Sequence, residues 1–245
     1  MPSSFLWKFN EKMNLLLKKK PLYIILIKNK KRLGIDMVYT IVIHVIKWLI
    51  VLLNGFVHVE GKENLPKDKG FVMVAPHRSW LDPVVIGIAV YPLKMITMAK
   101  HELFENKVLG WYLRQMGGFP VNREKPGPSV IKYPVKQIKE NNKALLIFPT
   151  GTRYSNDMKG GAVTIARLSK APIVPIVFQG PFTFKDILKR QRITVKIGQP
   201  IELPKGRLSK EQIAEIDHEI VETFDRIDKE INPNFVYHIP EKKHK

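Results

Sequence analysis

APHRSWLDPV, residues 75–84, follows directly on the apolar run FVMV at residues 71–74, and its reading decides what kind of sheet this chain builds. A short apolar run bounded by a proline-containing turn is a buried strand, so His77 leaves the strand's carboxyl end. On a regular helix, residues five apart point about 140° away from each other. His77 and Asp82 can therefore meet only if residues 78–81 form a tight turn. In such a turn the aspartate accepts the proton-bearing ring nitrogen of His77, fixes the tautomer and leaves the other nitrogen free to take a proton. Asp82 has a second reading. It precedes Pro83, a favoured first helical residue, and the apolar residues 84–90 follow, so it also suits a helix N-cap.

Outward from this stretch, short apolar runs alternate with amphipathic segments from Phe56 onward, as in a sheet covered by helices. Strands are expected at 56–60, 71–75, 95–98, 119–121, 144–148, 173–178 and 193–197, and helices near 83–89, 107–116, 129–141, 161–168 and 208–231. In the last helix Ile213, Ile216, Ile220, Phe224, Ile227 and Ile231 repeat at helical spacing. Its surface carries eight acidic and three basic residues, so the positive excess of the chain lies elsewhere. The fold class is α/β, a mixed central sheet covered by helices.

Residues 1–55 differ from the remainder and form a separate N-terminal region, leaving 56–245 as one α/β domain. Phe5, Leu6, Phe9, Met13, Leu16 and Leu17 fall within about 120° of a helical wheel, with lysines opposite. Residues 1–32 hold eight lysines, one arginine and one glutamate, a local net charge of +8 that suits anionic headgroups. Between residues 35 and 58, Asp36, Thr40, His44, Lys47, Asn54 and His58 share an arc of about 80°, and the rest of the circumference is apolar. A polar stripe of this kind is costly in a simple membrane span. The expectation is an amphipathic, membrane-associating helix pair, residues 1–28 and 33–54, lying in the interface without crossing it; packing of 35–53 on the globular core is the alternative. The run at 22–27 is too short for a signal-peptide core and has no small-residue cleavage site, which places the chain at the cytoplasmic face of the cell membrane.

Composition narrows the chemistry. The formal net charge is +19, so the partner is anionic: nucleic acid, an acidic membrane surface or an acidic protein. Zinc-finger spacing, a basic heptad helix and an aromatic RNA-binding motif are all missing, which argues against nucleic acid. Cysteine is absent, which removes disulfides, cysteine zinc sites and a cysteine nucleophile.

Two further loops compare with the His77 turn. GGFPVNR at 117–123 delivers Arg123 at a strand end, and FPTGTRYS at 148–155 presents Thr150, Gly151, Thr152 and Arg153 after a strand. Ligands of open α/β sheets bind outside the carboxyl ends of the strands, so His77, Arg123 and Arg153 are candidates for one crevice. Two arginines there suit a phosphate, whose oxygens match the planar guanidinium fork.

In these blocks the sequence resembles the glycerolipid acyltransferases, especially the bacterial 1-acylglycerol-3-phosphate (lysophosphatidic acid) acyltransferases. HRSWLD at 77–82, GGFPVNR at 117–123, FPTGTR at 148–153 and IVPIV at 173–177 match that family's four blocks in order. AKHELF at 99–104 is also similar and brings forward Lys100 as a further phosphate contact. Two positions depart from the pattern: Thr150 stands where the family usually has glutamate and, as a milder difference, Pro120 stands where many members have an aromatic or aliphatic residue.

The resemblance implies acyl transfer from an acyl thioester, carried by acyl carrier protein or coenzyme A, to the free hydroxyl of lysophosphatidic acid, without metal or resident cofactor. Glycerol-3-phosphate or another lysolipid is the alternative acceptor. His77 is then the general base, Asp82 its orienting carboxylate, and Lys100, Arg123 and Arg153 the phosphate-binding set. Backbone N–H groups near the His77 turn or Gly151 are the expected oxyanion donors.

Overall fold

The computed structural model describes residues 22–122, 125, 127–151, 158 and 160–237, with the side chains of 22–36 and of Phe184 outside that description. Helix α1, Leu22–Leu53, is followed by β1 (Val57–Glu60), β2 (Phe71–Val74), α2 (Asp82–Val90), β3 (Met95–Lys100), α3 (Lys107–Gln115) and β4 (Gly118–Val121). Then come α4 (Ser129–Asn141), β5 (Ala144–Ile147), α5 (Gly161–Ser169), β6 (Ile173–Gln179), α6 (Phe184–Leu188), β7 (Ile193–Ile197) and α7 (Lys210–Ile231). All seven expected strands form, within two residues of the expected bounds. They make one mixed sheet in the order β1-β7-β6-β2-β5-β3-β4, parallel except for the β6–β7 pair.

The central strands are buried on both faces, which is why they read as unbroken apolar runs. Phe71 and Met73 of β2 face one apolar cluster with Val85, Ile86 and Val90 of α2. Val72 and Val74 face a second cluster with α5 and with Ile216, Ile220 and Phe224 of α7. Helices therefore cover both sides. Strand β6 carries Pro175 in its middle, where a missing N–H ordinarily breaks a ladder. Here β6 pairs with β2 through 173–175 and with β7 through 176–179, so the proline stands where the pairing changes partner.

This topology creates a crevice. Strands β2 and β5 are parallel neighbours, with Val74 opposite Ile147. The chain leaves β2 for α2 on one face of the sheet and leaves β5 for α5 on the other, so the loops at their carboxyl ends diverge. The loops beginning at Ala75 and Phe148 start side by side, joined by Ala75 N–H donating to Ile147 O at 3.3 Å.

Three expectations need correction. The break between two N-terminal helices is absent, because α1 runs through residues 28–32. KNKKR contains neither proline nor glycine, its lysines and arginine are good helix formers, and Gly34 costs only about 1 kcal/mol relative to alanine. Residues 1–21 of the expected first helix lie outside the described residues. Second, α7 starts at Lys210 because Ser209 and Gln212 form a reciprocal capping box there. Third, two of the eight acidic residues assigned to its surface, Asp217 and Asp228, are buried.

The chain divides into two compact units, Met1–Val42 and Ile43–Lys245. The second unit thus holds the last turns of α1 together with the α/β domain. In that unit Ile46 and Ile50 pack against the α2 side of the sheet, while Val45, Trp48, Leu49, Leu52 and Phe56 are exposed. No helix among the described residues is long and apolar enough to cross a membrane.

Candidate active site

Residues 75–81 form the turn that the His77–Asp82 pairing requires. Asp82 opens α2, and its Oδ2 accepts three donors: His77 Nδ1 at 3.0 Å, Arg78 N–H at 2.7 Å and Ser79 N–H at 2.8 Å. Of the two readings of Asp82, the structure realises the pairing with His77 and not the helix cap: Leu81 stands at the N-cap with no side-chain cap hydrogen bond, because the Asp82 carboxylate turns back onto the loop and its Oδ2 is taken by residues 77–79. Asp82 is 1% exposed. A carboxylate only accepts, so Nδ1 carries the ring proton and Nε2 is left as the base. The imidazole stacks on Phe148, centroids 4.2 Å apart and planes 22° apart, which fixes its remaining rotation. Ser79 fastens the turn from below, its hydroxyl donating to Phe182 O at 2.6 Å and accepting from Leu81 N–H at 3.1 Å.

His77 borders two hollows. One, of about 230 Å³, is mainly apolar and includes Met98, Val121, Leu146, Phe148 and Gly151 in its wall. The other, of about 240 Å³, is more polar and includes Arg78, Thr150, Asp228 and Tyr237. A base between an apolar slot and a polar one suits a reaction that joins a fatty chain to a polar acceptor. Residues 56–179 match the family model described as Acyltransferase.

The chain belongs to that acyltransferase family.

Relatives agree over longer spans. A 1-acyl-sn-glycerol-3-phosphate acyltransferase of Streptococcus pneumoniae is 39% identical over 205 residues, covering 82% of this chain and 78% of that protein. The enzyme of the same name from Bacillus subtilis is 46% identical over 155 residues, 62% of this chain and 77% of that protein. The crystal structure of the 1-acyl-sn-glycerophosphate (LPA) acyltransferase PlsC from Thermotoga maritima is similar with a TM-score of 0.54 at 26% identity, covering 72% of each chain. The mixed α/β sheet of this acyltransferase is the architecture of that structure.

The remaining site residues fall into three groups. Thr150 is half-buried on the rim of the polar hollow, and Gly151 lies in the wall of the apolar one with φ of +67°, a conformation that favours glycine. Lys100 ends β3, but its ammonium is engaged by Glu102 Oε1 at 2.7 Å and it borders neither hollow. That lysine holds the half-buried Glu102 carboxyl below the ordinary carboxylate range, with a smaller contribution from the local backbone. Arg123, Thr152 and Arg153 lie outside the described residues. Asn122, immediately before Arg123, does border the apolar hollow.

Three of the backbone amides in the loops expected to supply oxyanion donors are employed within this acyltransferase. Arg78 and Ser79 N–H are bound to Asp82, and Gly151 N–H donates to Phe148 O at 2.9 Å. These amides build the site's geometry and leave none of the three for a developing negative charge.

Sequence reading missed a group behind the turn. Arg78, next to the base, makes a two-pronged ion pair with Asp228 of α7: Nη1 to Oδ1 at 2.9 Å and Nη2 to Oδ2. Gln179, ending β6, donates Nε2 to Asp228 Oδ1 at 2.7 Å and to its carbonyl at 2.8 Å. The signal available was the position of Asp228, on the helical wheel beside the apolar stripe of α7, where a solvated carboxylate has no reason to be.

Proposed function

We propose that this acyltransferase moves a fatty acyl group from an acyl thioester to the free hydroxyl of lysophosphatidic acid, giving phosphatidic acid for phospholipid synthesis. The observation that carries the reading is His77, its Nδ1–H committed to a buried carboxylate so that Nε2 is the base. Nε2 takes the hydroxyl proton as the oxygen attacks the thioester carbonyl carbon. The tetrahedral intermediate collapses with cleavage of the carbon–sulfur bond, and the leaving thiolate takes the proton back from the imidazolium. Asp82 stabilises that cation without itself being protonated. The apolar hollow suits the acyl chain, and Arg123, Arg153 and Lys100 are the cations proposed for the acceptor phosphate, which would orient the hydroxyl as well as bind it.

The donor is an acyl-carrier-protein or coenzyme A thioester; both are anionic and complement a chain of net charge +19. The proposed location is the cytoplasmic face of the cell membrane. The exposed apolar face of residues 45–56 supports it, since six large apolar side chains on one stretch exceed the scatter normal for a soluble surface.

The test uses the purified full chain in detergent with lysophosphatidic acid and each thioester in turn, with glycerol-3-phosphate and another lysolipid as comparison acceptors. Phosphatidic acid and free thiol are expected in equal amounts. His77→Ala should lower turnover by about 10²–10⁴-fold. Turnover close to that of the unmodified protein would remove His77 from the role of base.

A further inference from the structure

Arg78 is a charged side chain that the transfer reaction does not use. It adjoins the base in sequence and borders the same polar hollow, yet its guanidinium is committed to protein partners, the Arg78 and Asp228 side chains each being 8% exposed. Burying a guanidinium demands a full set of partners, and these come from three distant parts of the chain. Asp228 supplies the fork from α7, and Phe178 O accepts from Nη1 at 3.5 Å at the end of β6. The third part is the segment that follows α7. Phe235 and Tyr237 lie over the guanidinium, 5.0 and 5.3 Å from its carbon to their ring centroids, and Tyr237 O–H donates to Arg78 O at 3.1 Å.

The same aromatic pair is anchored to the other end of the turn. Phe182 makes ring contacts with Phe235 at 6.4 Å and Tyr237 at 5.6 Å, and its carbonyl accepts the Ser79 hydroxyl. Both residues whose amides fix Asp82, Arg78 and Ser79, are thus held on their outer side by one assembly.

We propose that Arg78 is a positioning residue and that residues 232–237, with Asp228, form a clasp that keeps the His77 turn in its catalytic shape. The clasp borders the polar hollow, but its bonds go to Arg78 and to the far side of the turn. It acts by holding the 78 and 79 amides on the Asp82 carboxylate, so that the carboxylate meets the imidazole squarely. This inference rests on His77 being the base, and its test separates the two ideas.

The experiment compares Phe235→Ala/Tyr237→Ala and Asp228→Asn with the unmodified full chain. Steady-state transfer is measured together with amide hydrogen exchange of the 75–81 loop. The aromatic double variant should lose about 10- to 100-fold in kcat with KM for the thioester within about twofold, since positioning acts on the transition state more than on binding; KM for the acceptor is not the diagnostic, because both rings also border the polar hollow. Exchange should accelerate in 75–81 and stay unchanged in β2 and β5. Tyr237→Phe, which keeps the ring but loses the hydroxyl, should fall between. Asp228→Asn leaves a buried guanidinium half-paired and is the variant at risk of misfolding; the aromatic variants change half-buried side chains and keep the test open. Unchanged kcat, exchange spread through β2 and β5, or a raised KM with intact kcat would each overturn the clasp. An inactive unmodified protein with the expected exchange pattern would instead sink the acyl-transfer reading alone.

Discussion

At the scale of single residues, the decisive object is one oxygen atom, Asp82 Oδ2, which accepts from an imidazole and two backbone amides at once. Replacing Asp82 with asparagine conserves volume but offers an amide whose oxygen has less charge and whose NH2 cannot accept. The ring is then free to take the wrong tautomer, with its lone pair directed into the protein. Asp82→Asn should reduce kcat by about 10²–10⁴-fold, with little change in KM for either substrate, as measured in steady-state transfer. A loss confined to KM would mean that Asp82 binds substrate and does not orient the base. Sequence spacing alone could reach the pairing but not its tightness, because five residues of separation say nothing about how the intervening amides turn. Arg78 shows the limit: it stands inside the block that was read, yet its partner is 150 positions away.

At the scale of elements, legibility followed burial. Strands β2 and β5 are buried on both faces, so their apolar runs could be placed from sequence alone, and α7 showed its stripe over about five turns. Helix α6 was missed because five residues are too few for a period, and its start depends on the Thr183 hydroxyl accepting from Asp186 N–H. The acidic face of α7 was misjudged because a count of charges cannot see which of them turn inward. Asp217 is such a case: burial raises its carboxyl above the ordinary range, the Gly160 N–H opposes this, and Oδ1 has no hydrogen-bond partner among the described residues. A carboxyl raised on folding binds more protons in the native state than in the unfolded one, so stability falls as pH rises through its titration. Asp217→Asn should therefore raise Tm at pH 7–8. The gain should shrink as the pH falls toward the ordinary carboxylate range near 4. Thermal melts across that interval check it; a variant less stable at pH 7 would show that the charge is satisfied after all.

At the scale of the whole molecule, two forces point toward a lipid surface, and they can be separated by salt. The charge of +19 acts through ions, and its reach falls from a Debye length of about 10 Å at 0.1 M to about 3 Å at 1 M. The bare apolar side chains of residues 45–56 act by leaving water, which salt does not weaken, each contributing about 1.5–3 kcal/mol if fully withdrawn. Leu52 and Phe56 are 72% and 75% exposed, so changing them touches no core contact. The full chain should sediment with phosphatidylglycerol vesicles at low salt and more weakly with phosphatidylcholine vesicles. Leu52→Asp/Phe56→Asp should reduce the bound fraction on both by at least about tenfold in partition coefficient, and the part of binding that survives 1 M salt should be the part this variant removes. If the double variant bound as well as the unmodified chain at every salt concentration, attraction to the membrane would belong to the basic residues alone. The apolar face would then need another partner.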